Sequence, residues 1–163
     1  MRCLSVRQPW ADLLVAGRKS VEVRHWKGAP RSAIGDLVAI HAGRQLDGMA
    51  PVAVRQAAFV VSAAWQGRRG GIIGAARLAE VLRFTEESFA ELADCHLNPA
   101  DWYEKGLVGL VFEDPVRFPE VVPLPGQLGL WEVAPDVVEI VSDQVARARA
   151  RPARLAVGGG DGG

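Results

Sequence analysis

Alternating hydrophobic and polar positions recur in several short segments of the 163-residue chain, a pattern typical of β-strands. Gly74 falls inside one of these segments and indicates a bend or a close approach of neighbouring atoms. The predicted strands cover residues 3–6, 19–26, 36–42, 72–84, 106–118 and 128–133.

Hydrophobic residues at helical spacing, with start and stop signals around them, predict helices between these strands. Pro9 suits the first position of a helix and Gly17 suits its end. Thr85 suits an N-cap, and Pro135 opens a last amphipathic helix. The predicted helices cover residues 8–17, 51–65, 85–97, 98–106 and 135–151.

The order of these elements shows no regular alternation of strands with crossover helices. The sequence therefore predicts the α+β class, as a small mixed or antiparallel β-barrel of about six strands decorated with short helices. The length fits one domain, which we place over residues 1–150. The Arg/Gly-rich tail over residues 151–163 is predicted to be disordered.

Composition narrows the classes of protein to consider. A formal net charge of zero argues against a protein that coats nucleic acid non-specifically. The longest apolar stretch, residues 57–65, is far shorter than a membrane span, and no secretory signal follows Arg2, so we predict a cytoplasmic protein. Cys3 and Cys95 show no metal-binding spacing, and we expect neither a metal nor a cofactor.

One predicted strand is unusually polar. Around Val21 and Val23 it carries Ser20, Glu22 and Arg24, which share the opposite face of the strand. A strand that serves only packing would carry fewer charges, so this face is a candidate site.

The segment LSVRQPW followed by GRKSVEVR resembles the opening of ASCH domains of the PUA-like superfamily, in their stand-alone bacterial form. Gly17, Lys19, Glu22 and Arg24 fill every position of the motif G-x-K-x-x-E-x-R. The resemblance extends over most of residues 3–134. It implies a small β-barrel with a cleft beside the first helix, and a role in RNA binding or as an accessory to transcription and translation. One bacterial branch of the family is an amidohydrolase that deacylates N4-acetylcytidine, and a nuclease activity has been proposed for another branch. The resemblance therefore implies these two activities as alternatives to binding alone.

These residue types suit a nucleotide-sized ligand. Arg7 and Gln8 precede the first helix, whose free N–H groups favour an anion. Arg7 and Arg24 can each clamp a phosphate, Lys19 adds a mobile charge, and Glu22 can accept a hydrogen bond from an exocyclic amine. The candidate ligand-binding residues are Ser5, Arg7, Gln8, Trp10, Lys19, Glu22, Arg24, Trp26 and His41.

Each candidate also has a plainer interpretation. Glu22 between two cations also fits a simple salt bridge, and Trp10 shares a helical face with core leucines. Trp26 fits a stacking platform and the core equally well, and a lone histidine such as His41 is usually structural. The turn at residues 67–71, GRRGG, is expected to be a solvated loop rather than a phosphate contact.

Three functions follow as hypotheses. The first is a module that binds single-stranded RNA or a modified nucleoside in a cationic cleft. The second is a metal-independent amidohydrolase for N4-acylcytidine-type amides, with Lys19 and Glu22 as catalytic residues, Ser20 and Glu91 as weaker candidates, and a nuclease less favoured. Glu22 stands where the amidohydrolase relatives carry threonine, which counts against it. The third is an adaptor that contacts a protein partner through the C-terminal helix.

Overall fold

The computed structural model describes residues 1–150, and the predicted tail over residues 151–163 lies outside the described residues. The strands are β1 (Arg2–Gln8), β2 (Val21–Arg24), β3 (Leu37–Leu46), β4 (Gly71–Arg83), β5 (Val108–Pro123) and β6 (Leu130–Glu132). The helices are α1 (Trp10–Val15), α2 (Val52–Val61), α3 (Glu86–Glu91), α4 (Ala93–His96) and α5 (Pro135–Ala150).

All six strands form one mixed sheet in the order β2-β5-β4-β3-β1-β6. β1 runs parallel to β3, and every other pairing is antiparallel. The register of the long β4–β5 pair shifts at three points, and such bulges bend the strands and increase their twist. The sheet curls into a half-barrel, so the predicted α+β barrel with short helices is confirmed.

Helix α1 packs against the curled sheet and buries Leu13 and Leu14 in the main core. Gly74 of β4 makes this packing possible, because a Cβ atom there would lie 2.6 Å from Val15 Cγ1 of the helix. The close approach predicted at Gly74 is therefore confirmed. A second core on the other side of the sheet is covered by α5 through Val137, Val141 and related residues.

The start of α1 differs from the prediction in one respect. Pro9 is the residue before the helix rather than its first residue, and Trp10 begins the helix. Gln8 caps this end with its side chain, since Gln8 Oε1 accepts a hydrogen bond of 3.0 Å from the Asp12 N–H. Gly17 ends the turn after the helix at φ +72°, a conformation that favours glycine.

Several predicted boundaries were wrong. The predicted helix over residues 85–97 divides into α3 and α4 at Leu92, although Thr85 does cap α3. β5 continues through residues 119–123, which were predicted as loop, because Val122 and Pro123 still pair with the start of β4. The predicted helix over residues 98–106 contains only a 3-10 turn at Ala100–Trp102.

Two further elements differ in length from their predictions. α2 ends at Val61, and a separate 3-10 turn at Trp65–Gly67 fills the rest of the segment predicted as one helix. β3 extends four residues past Ala42, because Gln8 at the end of β1 pairs with Leu46. Within residues 1–150, no helix is both long enough and apolar enough to cross a membrane.

Candidate functional site

A cleft of about 1220 Å³ opens beside α1, between this helix and the strands of the half-barrel. It is lined by parts of β1, β2 and β3, by the segment after α4 and by the loop between β5 and β6. The candidates from the sequence that line it are Ser5, Arg7, Trp10, Lys19, Glu22, Arg24 and His41. The structure therefore brings seven of the nine candidate binding residues to one cavity.

The polar face of β2 forms one wall of the cleft. Lys19 is 2 % exposed, and its Nζ lies 3.3 Å from Glu22 Oε2. Lys19 Nζ also donates to His96 O at 3.1 Å and to Val21 O, so its three N–H groups all have partners. Burial lowers the pKa of Lys19, and the negative charge of Glu22 opposes that shift.

Arg24 links this wall to the opposite side of the half-barrel. Its Nη2 donates to Ser5 O at 2.6 Å, although β2 and β1 are not neighbours in the sheet. Its Nε lies 3.0 Å from Glu22 Oε1, but the N–H is not aligned for a hydrogen bond. Arg24 thus connects β2 to β1 across the open side of the half-barrel, and its guanidinium stays next to the Glu22 carboxylate.

Two tryptophans contribute to the cleft. Trp10 is 6 % exposed and belongs to the core, as expected, but one part of it also lines the cavity. Its Nε1–H donates to Asp47 Oδ2 at 2.7 Å, and Lys19 Nζ lies 5.5 Å from its ring centroid. Trp102 is half-buried, with its ring 6.2 Å from that of Trp10. The cleft therefore has an aromatic side next to its charged wall.

His41 lies at the floor of the cleft and is almost fully buried. Its Nε2 bonds to Leu124 O at 2.8 Å, and since a carbonyl oxygen only accepts, Nε2 carries the proton. Its Nδ1 has no hydrogen-bond partner within residues 1–150. Burial lowers the pKa of His41. Gly126 covers this edge of the ring, because a Cβ atom there would lie 2.6 Å from His41 Cε1.

The other candidates do not line the cleft. Gln8 is fully buried, where its Nε2 donates to Arg68 O at 2.8 Å and to Asp12 Oδ2 at 3.3 Å. Trp26 is half-buried outside the cavity, 5.9 Å from Arg24 Cζ. The anion site expected at the start of the first helix is therefore wrong, since Gln8 and Asp12 already occupy that helix end.

Both weaker catalytic candidates also lie elsewhere. Ser20 lies outside the cavity lining, and its N–H bonds to Cys95 O in the link between β2 and α4. Glu91 is exposed at the end of α3 and does not line the cavity. Neither can act on a ligand held in the cleft.

The expected solvated turn at residues 67–71 is wrong for Arg68. Arg68 is 9 % exposed, and its Nε lies 3.2 Å from Asp12 Oδ1. Its Nη2 donates to Ile73 O and Phe118 O at 3.2 and 2.9 Å. A pair of arginines between glycines gave no signal of this burial, because the partner Asp12 is 56 residues away.

Several lining residues were not predicted from the sequence; they lie past the predicted strand over residues 36–42, within the predicted helices over residues 85–97 and 98–106, or in the loop before residue 128. Those with polar or aromatic side chains are Arg44, Gln45, Asp47, Phe89, Asn98, Asp101, Trp102, Glu104 and Gln127. With them included, the lining carries four basic side chains (Arg7, Lys19, Arg24 and Arg44) and four acidic ones (Glu22, Asp47, Asp101 and Glu104). The prediction of a cationic cleft is therefore wrong for the lining as a whole.

Residues 1–150 contain no group of three or more histidine, cysteine or acidic side chains arranged to hold a metal ion. Both cysteines are free thiols, and burial raises the pKa of Cys3 to about 12. The lining of the cleft offers hydrogen bonds, charges and aromatic surface to a ligand.

Comparison with known proteins adds two findings. The family model of the ASCH domain matches residues 4–116. The crystal structure of ASCH from Zymomonas mobilis has 12% sequence identity and a TM-score of 0.60, and the match covers 87% of this chain and 93% of that chain. The crystal structure of a Tyr-to-Phe variant of the Zymomonas protein has 13% identity and a TM-score of 0.61, covering 87% of this chain and 96% of that one. At these identities the structures show a shared fold; no curated protein matches the sequence significantly.

Proposed function

The chain belongs to the ASCH domain family, PUA-like modules associated with nucleic acids, and we propose that its cleft binds one unpaired nucleobase, of single-stranded RNA or of a modified nucleoside. The observation that carries the proposal is the Glu22 carboxylate, which Lys19 and Arg24 hold at the wall of the cleft.

Glu22 retains capacity to accept hydrogen bonds from a ligand. A carboxylate offers about four lone-pair positions. Lys19 Nζ lies 3.3 Å from Oε2, and the N–H of Arg24, 3.0 Å from Oε1, is not aligned for a hydrogen bond, so Oε1 can still accept from a ligand. An exocyclic amine such as cytosine N4 is a donor of the type that carboxylates recognise.

The aromatic side of the cleft supports the same ligand class. Trp102 is half-buried and lines the cavity, so part of its ring surface is open to a base. Stacking on such a ring contributes about 1–3 kcal/mol per base. The balanced charge of the lining favours one specific nucleobase over a long polyanion held by its backbone.

Thermal shift and tryptophan fluorescence with nucleosides and short single-stranded RNAs test this proposal. A ligand at about 100 times its Kd stabilises the folded protein by about 2.7 kcal/mol, which is readily measured. We expect Glu22→Gln to weaken binding at least about tenfold, since the amide turns one acceptor oxygen into a donor. Glu91→Gln is the matched control, because Glu91 is exposed outside the cleft. A protein that binds neither RNA nor any nucleoside refutes the proposal, and unchanged affinity in Glu22→Gln moves the site elsewhere.

A second candidate function, hydrolysis of an N4-acylcytidine-type amide, is favoured by the contact between Lys19 and Glu22 at the wall. Glu22 would take a proton from water while the water oxygen attacks the amide carbon. The Lys19 ammonium would stabilise the resulting oxyanion. To do so, the oxyanion must displace one of the three oxygen atoms that Lys19 Nζ contacts now. Collapse of the tetrahedral intermediate then breaks the C–N bond and releases the amine, which receives the proton from Glu22, and the carboxylic acid.

Incubation with N4-acetylcytidine, followed by chromatography, separates this reaction from binding alone. The hydrolase hypothesis expects deacylation that falls at least about a hundredfold in Glu22→Gln, because the amide is no general base. Turnover no faster than in that variant removes the hypothesis and leaves the binding proposal intact.

The adaptor hypothesis finds less support on the C-terminal helix. α5 packs its apolar side, including Val137, Val141 and Val145, into the second core. Ile140 is the one large hydrophobic residue of the described helix that is exposed. A single exposed side chain does not make an apolar docking face.

A further inference from the structure

Two arginines from neighbouring strands line the cleft. Arg7 is on β1, two residues after Ser5, so both point to the cleft face of that strand. Arg44 is on β3, the parallel neighbour of β1. Val6 pairs with Ala42 and Gln8 with Leu46, so Arg7 lies beside residues 43–45, at the spacing of about 4.8 Å between neighbouring strands.

Neither arginine is neutralised by a carboxylate within residues 1–150. Arg24, Arg68 and Arg117 each lie 3.0–3.2 Å from an acidic oxygen, whereas Arg7 and Arg44 are exposed and make no ion pair in this part of the chain. Two adjacent cations without a counter-ion repel each other, and an anion between them removes that repulsion.

The acidic residue nearest in sequence does not fill this role. Asp47 Oδ2 accepts the 2.7 Å hydrogen bond from Trp10 Nε1, and its Oδ1 accepts from Met49 N–H at 3.0 Å. Asp47 therefore orients Trp10 and the turn after β3.

The backbone and stem of Arg44 are held in place. Arg44 O accepts a hydrogen bond of 3.0 Å from Arg69 Nη1. Its side chain packs over Gly70, since a Cβ atom at that glycine would lie 3.5 Å from Arg44 Cγ. Arg44 also lines the cavity, and its charge adds to the effect of burial in lowering the pKa of His41.

The two ends of the cleft differ in charge. Asp101 and Glu104 line the part next to Trp102, whose ring lies 6.2 Å from that of Trp10. Trp10 in turn contacts Asp47, at the end of the cleft where Arg7 and Arg44 lie. A phosphate is repelled by the two carboxylates and attracted by the two arginines, while a base fits beside the tryptophans and Glu22.

We propose that Arg7 and Arg44 form a phosphate subsite, so that the ligand of the cleft is a phosphorylated nucleoside with its phosphate on these two arginines. The phosphate belongs to a free nucleotide or to one residue of a single strand, since both present the same anion. This inference rests on the proposed function, to which it adds a ligand class and an orientation.

Calorimetric titration at about 50 mM salt compares the four common nucleosides with their 3′- and 5′-monophosphates, inorganic phosphate and a short single-stranded RNA. We expect one monophosphate to bind about ten- to a hundredfold more tightly than its nucleoside, through two charge-assisted contacts. The double substitution Arg7→Ala with Arg44→Ala should reduce this ratio to about one. The matched control is Arg31→Ala with Arg83→Ala, which removes the same charge from exposed arginines outside the cleft.

The outcomes separate the two proposals. If a nucleoside binds and its phosphates add nothing, or if the ratio survives in the double variant, the subsite is refuted and the binding function stands. If nothing in the panel binds, the subsite is refuted, and the binding function then requires a modified nucleoside. A strand that gains affinity only through Arg7 and Arg44 identifies the anion as a strand phosphate, and tighter binding of a mononucleotide than of the strand identifies a free nucleotide.

Discussion

Asp12 and Glu22 each lie between two cationic side chains, yet the two clusters play different parts in the molecule. Asp12 Oδ1 is 3.2 Å from both Arg68 Nε and Arg117 Nε. Glu22 is 3.3 Å from Lys19 Nζ through Oε2 and 3.0 Å from Arg24 Nε through Oε1. Composition and pair distances alone do not distinguish them.

The cluster around Asp12 is closed. Asp12 is fully buried, and its other oxygen accepts from Gln8 Nε2. Arg68 donates to carbonyl groups of β4 and β5 in addition to Asp12. These bonds tie α1 to both long strands and leave little capacity for a ligand, so this cluster holds the fold together.

The cluster around Glu22 is open to the cleft. Glu22 is 7 % exposed, lines the cavity and keeps free acceptor positions, and the Arg24 side chain is 25 % exposed. A buried ion pair is therefore weak evidence for a site by itself. Unused hydrogen-bonding capacity that faces a cavity is what separates the site from the fold.

The sharpest test of this difference is Asp12→Ala. The substitution leaves Arg68 and Arg117 without the carboxylate that they share, and Arg68 is buried. Removal of one partner of a buried ion pair lowers the free energy of unfolding by about 3–5 kcal/mol. Urea unfolding should show this loss as a lower midpoint at constant slope. Asp143→Ala is the control, since Asp143 pairs with Arg147 on the exposed side of α5 and should leave the midpoint unchanged. Equal behaviour of the two variants would contradict the structural role of Asp12.

The same substitution at the open cluster, Glu22→Ala, should destabilise the protein less, by about 1.5–3 kcal/mol. Lys19 and Arg68 both keep carbonyl partners, but Lys19, whose pKa burial already lowers, can lose its proton when Glu22 is absent, whereas an arginine cannot. Arg24 keeps Ser5 O and is partly exposed. Urea unfolding of the two alanine variants side by side measures the difference, and ligand titration should show the reverse order of effects. A loss at Glu22 as large as that at Asp12 would mean that both clusters are structural.

Acid should weaken the open side of the molecule. His96 O holds Lys19, and the His96 ring is neutral in its bonding, with Nε2–H donating to Phe89 O at 2.7 Å and Nδ1 accepting from Asn98 N–H at 3.0 Å. Burial lowers the pKa of His96 and of His41. The unfolded chain therefore binds more protons than the folded protein. The contribution of the two rings to the free energy of unfolding is fully present above about pH 6.5 and decreases as the pH falls below that value.

Melting temperatures between pH 8 and pH 5 measure this effect. We expect a decrease toward pH 5 that is smaller in His41→Gln, which removes one buried titrating ring. His25→Gln is the control, because the His25 side chain is 65% exposed, and it should keep the profile of the unsubstituted protein. An identical acid response in His41→Gln would show that burial of His41 does not contribute.

How much the sequence could predict follows from the range of the interactions involved. The strands, α1 and α5 depend on local periodicity and local stop signals, and their positions were predicted correctly. Lys19, Glu22 and Arg24 come together because they lie within six residues on and beside one strand. Asp12 meets Arg117 across 105 residues, a distance at which sequence spacing carries no signal.

The cleft shows the same limit. Arg44 lines it from just past the end of a predicted strand, and Trp102 from a segment predicted as a helix, and neither local pattern indicates a position beside the cleft. The sheet curls because of register shifts between β4 and β5, and this curl brings those segments beside α1. The balance of charge in the cleft therefore depends on the tertiary fold, and the strand motif alone suggested a cation-rich site.

The smallest expected effect is at a third cluster, in which one cation lies between two carboxylates. Arg77 lies 2.7 Å from Glu113 and 3.1 Å from Asp114 at the surface. These contacts are at least as short as those around Asp12, but all three side chains are more than 40% exposed, at 43%, 53% and 64%. Water and salt screen such pairs, so Arg77→Ala should leave the urea midpoint unchanged within error, at low and at high salt alike. A clear loss of stability in this variant would show that contact distance decides the strength of these clusters. An unchanged midpoint would leave burial as the property that distinguishes Asp12 from Arg77, and access to the cleft as the one that distinguishes Glu22 from both.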